Sequence, residues 1–182
     1  MRFTDTPLHG VTLIDLDPVR DERGSFARTF CDDEFERAGI PMRVRQTNLS
    51  NNPHALTLRG LHYQDAPFGE SKVVQCTRGR IFDVVVDLRP GSPTLTRWFA
   101  TELGPELQRA IFIPQGCAHG FLTLEESSDV FYLMGHPYVP EAGRGARWND
   151  PAFNIPWPAA PRFISPRDTS YPDFITQPDT RT

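Results

Sequence analysis

His62 and two fixed cations, Arg59 and Lys72, fall within one short stretch, Leu58-Arg59-Gly60-Leu61-His62-Tyr63-Gln64 followed closely by Lys72. An unperturbed imidazole titrates at about 6.5, so it can take up and return a proton near neutral pH. A lysine ammonium can stabilise developing negative charge, and an arginine fork matches phosphate oxygens. The apolar residues between them read as a strand. Strand alternation predicts Arg59, Leu61 and Tyr63 on one face and Leu58, Gly60, His62 and Gln64 on the other. A turn near Pro67 and Gly69 would return the chain and set Lys72, on the next strand, beside His62. Taken alone, the stretch fits a histidine satisfied in the core equally well.

The elements that must position these groups are short. Eighteen prolines and 13 glycines punctuate brief apolar runs, the pattern of an all-β chain. Strands are predicted at Val11–Leu16, Gly24–Phe30, Arg43–Ser50, Leu56–Tyr63, Ser71–Thr77, Arg80–Leu88, Thr96–Leu103, Gln108–Ile113, Gly120–Leu124 and Asp129–Met134. Thr77-Arg78-Gly79-Arg80 reads as a hairpin turn. One helix is expected, Asp32–Ala38, capped by Asp32 and ended by Gly39. After Tyr138 the chain reads as proline-rich and irregular. One domain, residues 1–182, built as a closed or sandwiched antiparallel barrel of jelly-roll type, accounts for these elements. Such a barrel leaves a polar mouth. Gln46 and Asn48 share a strand face, His119 follows a Pro114-Gln115-Gly116 turn and opens Gly120-Phe121-Leu122, and Tyr132 ends Val130-Phe131-Tyr132. With His62 and Lys72 they would line one cavity.

A formal net charge of -4 argues against a nucleic-acid or membrane-surface binder, while leaving room for a phosphorylated small molecule held by clustered arginines. No apolar run reaches membrane-spanning length, and the N-terminus lacks a signal-peptide pattern. Cys31, Cys76 and Cys117 are widely spaced and odd in number, which argues against a disulfide framework. A cytoplasmic location is expected.

Longer motifs carry a family likeness. Asp21-Glu22-Arg23-Gly24-Ser25-Phe26, Gln46-Thr47-Asn48, the Leu58–Gln64 stretch, Lys72-Val73-Val74, Phe82-Asp83-Val84, Asp87-Leu88-Arg89, Gly91-Ser92-Pro93-Thr94, Pro114-Gln115-Gly116-Cys117-Ala118-His119-Gly120-Phe121 and Arg147-Trp148-Asn149-Asp150-Pro151 occur in order. Over about Val11 to Asp168 the chain resembles the dTDP-4-dehydrorhamnose 3,5-epimerase family. The resemblance implies a cupin-type jelly roll, a homodimer, no metal or organic cofactor, and a nucleotide-linked 4-keto-6-deoxyhexose as substrate. It further implies His62 as the base that removes a proton next to the ketone, oriented by Asp168. Lys72 would stabilise the enolate oxygen, and Tyr132 would be the acid on the opposite face. Arg59, Gln46, Asn48 and His119 would hold diphosphate and sugar. Arg23, Phe26 and Tyr138 match positions that grip the nucleoside, the first two reaching across from the partner subunit. Without the resemblance, Asp168 reads as a surface turn residue. Trp148 reads as a core anchor, and Arg147 and Asp150 as fixing the C-terminal segment.

Two departures stand out. Arg28 occupies a position where many relatives carry a glutamate near the nucleoside; alternation from Phe26 would aim it at the base, and solvent is the other destination. Cys117 replaces a bulkier residue. Three other readings remain open on the sequence: an epimerase inverting only C3 or only C5, a metal-dependent cupin, and a catalytically silent sugar-nucleotide binder. The metal reading lacks the expected His-x-His pair, because the position two after His62 is Gln64, and His9, His54, His119 and His136 are scattered.

Overall fold

Short apolar runs between turn residues become strands stacked in two layers. Residues 1–175 of a computed structural model are described; residues 176–182, the end of the expected domain, lie outside them. In chain order the elements are β1 (Arg2–Asp5), β2 (Thr12–Asp15), β3 (Val19–Asp21), β4 (Gly24–Phe26), α1 (Asp32–Arg37), β5 (Gln46–Asn52), β6 (Leu58–Gln64), β7 (Lys72–Arg78), β8 (Ile81–Asp87), β9 (Trp98–Leu103), β10 (Arg109–Ile113), β11 (Cys117–Thr123), β12 (Ser128–Met134), β13 (Gly143–Gly145) and α2 (Pro166–Thr169). One sheet has the order β1-β2-β10-β7-β12-β5, the other β13-β6-β11-β8-β9, and β3 and β4 form a separate ribbon. All named ladders are antiparallel, and the architecture is the expected jelly roll.

Between β5 and β12 every connection except β8–β9 carries the chain from one sheet to the other. This corrects the hairpin expected at Thr77–Arg80. The turn is tight, with Gly79 at φ +70, but β7 pairs with β10 and β12 while β8 pairs with β11 and β9. Strands adjacent in sequence therefore face each other across the interior. Other differences are local. The α1 N-cap is Cys31, without a side-chain cap bond, and Asp32 is the first helical residue, where its charge complements the helix dipole. Gly39 ends the helix in the left-handed region as expected. The second expected strand, Gly24–Phe30, stops at Phe26, and β11 begins at Cys117, which places His119 inside a strand rather than before one. Strands β1, β3 and β13 and helix α2 were not legible in the residue pattern.

Three apolar clusters explain why several strands are hydrophobic on both faces. Val74, Cys76, Ile81, Val85, Ile111, Phe121 and Val130 fill the space between the sheets. Their neighbours Val73, Ala110 and Phe112 point outward under Phe35 of α1. On the other side Leu61, Val84, Val86 and Ala118 are covered by Phe153, Ile155, Trp157 and Phe174 from the C-terminal segment. A core side chain of this kind contributes about 1.5–3 kcal/mol on burial. The segment is also tied by polar contacts: Arg147 to Asp173, Trp157 Nε1 to the Trp148 carbonyl at 2.8 Å, and the Phe174 N–H to Asp150 at 2.6 Å. Arg147 and Asp150 thus fix the segment, as their sequence context predicts.

At the end of β8 the fully buried Asp87 accepts from Arg89 Nη2 at 2.7 Å, Ser92 Oγ at 2.5 Å and Thr94 Oγ1 at 2.6 Å. Burial alone would raise its carboxyl pKa, but these donors outweigh burial and hold it at about 2. The folded-state value lies below the unfolded one. The associated stabilisation, about 2 kcal/mol, is therefore complete above about pH 4 and lost as the pH falls through about 2. Asp87→Asn is expected to lower unfolding stability by about this amount at neutral pH. The gap to wild type should close in acid, as read by urea unfolding across the pH range.

Candidate active site

A cavity of about 800 Å³ opens at one end of the sandwich, lined by side chains from both sheets and from the C-terminal segment. Arg59 and His62 of β6, His119 of β11, Lys72 of β7, Tyr132 of β12, Asn48 of β5 and Asp168 of α2 all reach it. The expected split of Arg59 and His62 onto opposite faces does not hold. His62 pairs with His119 but Arg59 pairs with Phe121, so β6 carries one extra residue between those pairs. Such a bulge resets the alternation, and both side chains turn inward while Leu61 stays in the outer cluster. Gly60 makes this possible. Its φ is +123, and a Cβ there would stand 2.5 Å from Gly120 Cα and 2.7 Å from the His119 carbonyl oxygen.

His62 Nε2 and Asp168 Oδ1 are 2.7 Å apart. Asp168 is buried, and its second oxygen accepts from the Gly60 N–H at 3.3 Å. The Ser165 hydroxyl caps α2 by accepting from the Asp168 N–H at 3.1 Å. Burial pushes the Asp168 carboxyl up, yet the His62 contact and the Gly60 N–H leave it below the ordinary carboxylate range. An ionised partner of this kind fixes the tautomer of the imidazole. Asp168 is thus no surface turn residue.

Lys72 lies beside His62, as the return of the chain implied, though β7 belongs to the other sheet. It reaches across from the facing sheet, and its Nζ donates to the His62 carbonyl at 3.0 Å and pairs with Glu70 at 2.9 Å. Tyr132 lies on the same wall as Lys72, edge-on to His119 with ring centroids 6.0 Å apart. Burial, with a smaller push from Asp83, drives its phenol pKa far above the ordinary range, so the hydroxyl keeps its proton. His119 Nε2 meets the fully buried Asp83 at 2.7 Å. Arg59 Nε donates to Asn52 at 2.7 Å, leaving the rest of its fork free to face the cavity.

Other expected residues lie elsewhere. Gln46 is beyond the lining; it donates to Asn48 and accepts from the Tyr138 N–H. Tyr138 is exposed and outside the lining, in contact with Arg167 at the cavity's edge. Arg23, paired with Asp21, and Phe26, 80% exposed, project on the β3–β4 ribbon away from it. The alternation expected to aim Arg28 with Phe26 ends at Phe26, and Arg28 instead pairs with Glu34 at 2.8 Å. Gln64 is engaged structurally, donating to the Phe68 and Pro137 carbonyls and accepting from the Val139 N–H. Among the described residues no group of three His, Cys, Asp or Glu side chains is placed to hold a metal ion. Cys117 is buried in the core cluster, with burial pushing its thiol up to about 12.

Sequence reasoning missed Asp83, Glu70, Arg162 and Arg167. Asp83 interrupts the inward face of Ile81-Phe82-Asp83-Val84-Val85, and Glu70 stands two before Lys72; both patterns were visible signals. The two arginines line the cavity only because the C-terminal segment folds back, and nothing in their spacing shows it. The Gly60 geometry is directly testable. Gly60→Ala is expected to cost at least about 3 kcal/mol, combining left-handed strain and overpacking. Gly24→Ala, at the same φ of +123 but with nothing within 4 Å, should cost clearly less by urea unfolding.

Comparisons with known proteins bear on this arrangement. The family model described as dTDP-4-dehydrorhamnose 3,5-epimerase matches residues 5–175. The dTDP-4-dehydrorhamnose 3,5-epimerase of Sinorhizobium fredii is 38% identical, covering 98% of this chain and 92% of its own. A dTDP-4-dehydrorhamnose 3-epimerase of Streptomyces niveus is also 38% identical, covering 92% of this chain and 81% of its own. The crystal structure of the Bacillus anthracis 3,5-epimerase, with TDP and PPi bound, superposes with a TM-score of 0.92 at 33% identity, covering 95% of this chain and 99% of that one. With a sandwich of this topology and sequence similarity running along nearly all of it, the chain belongs to the dTDP-4-dehydrorhamnose 3,5-epimerase family.

Proposed function

We propose that the cavity takes a dTDP-linked 4-keto-6-deoxyhexose and that its walls supply opposed proton-transfer groups. The observation that carries this reading is the His62–Asp168 pair at 2.7 Å on one wall, with Lys72 and Tyr132 converging from the other. The ketone acidifies the protons on C3 and C5. His62 takes one of them, and the ionised Asp168 stabilises the imidazolium that forms. The electrons move onto the C4 oxygen, where Lys72 stabilises the enolate. Tyr132, held protonated by burial, returns a proton to the opposite face of the sugar. Arg59 and Asn48, with His119 held by Asp83, orient diphosphate and sugar.

Inversion at one centre only is the second reading. The 38% identity to a 3-epimerase is what favours it, against the 3,5-epimerase family model and relatives that favour inversion at both centres. The site of deuterium incorporation separates them. Chelator-treated protein in deuterated water is expected to exchange C3, C5 or both of dTDP-4-keto-6-deoxyglucose. Loss with chelator and recovery with a divalent metal would overturn the metal-free mechanism. His62→Asn and Asp168→Asn should lower exchange by about 10²–10⁴-fold. Tyr132→Phe should damage inversion more than the first proton loss.

The proposed assembly is a homodimer in which Arg23 and Phe26 grip the nucleoside in the partner's cavity. Phe26 and Val19 leave an apolar patch exposed on the β3–β4 ribbon, which supports an arm that docks elsewhere. Arg28 is 63% exposed in its ion pair with Glu34 and is screened there by water, so it remains free to exchange partners at the nucleoside. Solution scattering should show a dimer, and Phe26→Ala should raise KM more than it lowers kcat.

A further inference from the structure

We propose that Glu70 is the positioning residue for the Lys72 ammonium, holding it where it faces the reacting sugar. The inference rests on the reading of Lys72 as the enolate stabiliser and adds the group that holds it. Glu70 lies two residues before Lys72 at the entry to β7, so in an extended chain both side chains leave the same face. Glu70 Oε1 and Lys72 Nζ are 2.9 Å apart, with both side chains almost fully buried, 5% and 7% exposed. An ammonium carries three donors. One goes to the His62 carbonyl at 3.0 Å, and the ion pair with Glu70 holds the ammonium from a second side, which leaves donor capacity for the cavity that Lys72 lines.

Two fixed contacts turn a flexible four-carbon stem into a directed donor. Without Glu70 the ammonium would keep only the His62 carbonyl and could swing about that contact. The arrangement is costly: Glu70 Oε2 is buried with no hydrogen-bond partner among the described residues. A buried pair with an unsatisfied oxygen is poor structural economy compared with an apolar filling. Its place beside the reacting end of Lys72 is what a positioning role explains.

The test compares Glu70→Asp, which keeps the charge but withdraws the reach, with Glu70→Gln, which keeps the reach and removes the charge. The substrate is dTDP-4-keto-6-deoxyglucose, with dTDP binding as the check that the cavity is formed. Glu70→Asp is expected to lower kcat about tenfold or more while KM stays within about threefold, because a donor displaced by ~1 Å loses much of its effect. Its affinity for dTDP should match wild type. Glu70→Gln should retain at least about one third of kcat, since its amide oxygen still reaches Nζ. A Glu70→Asp enzyme at full kcat would overturn the inference. So would equal losses in both variants, or loss of dTDP binding together with kcat. Lys72→Met supplies the separating control, with an expected fall of about 10²–10³-fold. Full activity in Lys72→Met would sink the role given to Lys72 itself. A normal loss there with an unaffected Glu70→Asp would sink only the positioning.

Discussion

The burial of Asp168 against His62 is the constraint to which most of the architecture answers. A carboxylate removed from water must find donors close by. Here they are the imidazole at 2.7 Å and the Gly60 N–H at 3.3 Å. Neither could meet it unless the C-terminal segment crossed the outer face of the five-stranded sheet and returned to the cavity. That path is secured by Phe153, Trp157 and Phe174 on the outer cluster and by Arg147 and Asp150, which tie its start to Asp173 and Phe174. The short helix α2, begun by Pro166 and capped by Ser165, then presents Asp168 at the cavity.

A second consequence concerns the Gly60 bulge. The same extra residue that turns Arg59 and His62 to one side also aims a backbone N–H at Asp168. Gly60 and Gly120 let the two strands approach more closely than any Cβ would allow. One irregularity therefore brings together the phosphate-seeking arginine, the proposed base and a donor to the base's partner. Regular pairing would have placed the arginine in the outer apolar cluster.

Charge in the cavity is organised in pairs. His62 with Asp168, His119 with Asp83 and Lys72 with Glu70 each join a group lining the cavity to a more deeply buried carboxylate. Pairing lets these groups sit in a low-dielectric wall without losing their geometry. Arg59 takes a neutral amide partner instead, so its charge is not cancelled locally. The uncompensated arginine, with Arg162 and Arg167 near the rim, suits an anionic ligand despite a net negative chain.

Local pattern settled the all-β class, most strands, the helix ended by Gly39, and the grouping of His62, Lys72, His119 and Tyr132 around one mouth. These follow from side-chain period and turn chemistry, which act over a few residues. The family likeness added Asp168, whose own context reads as an exposed turn. Which face Arg59 takes, which sheet receives each strand and which carboxylate meets each cation were decided only by the tertiary structure. A one-residue bulge reverses alternation without changing composition, and sheet exchange at Gly79 depends on ladders formed with strands far along the chain. Burial of Asp168 likewise depends on how an irregular segment packs, where no period exists to read.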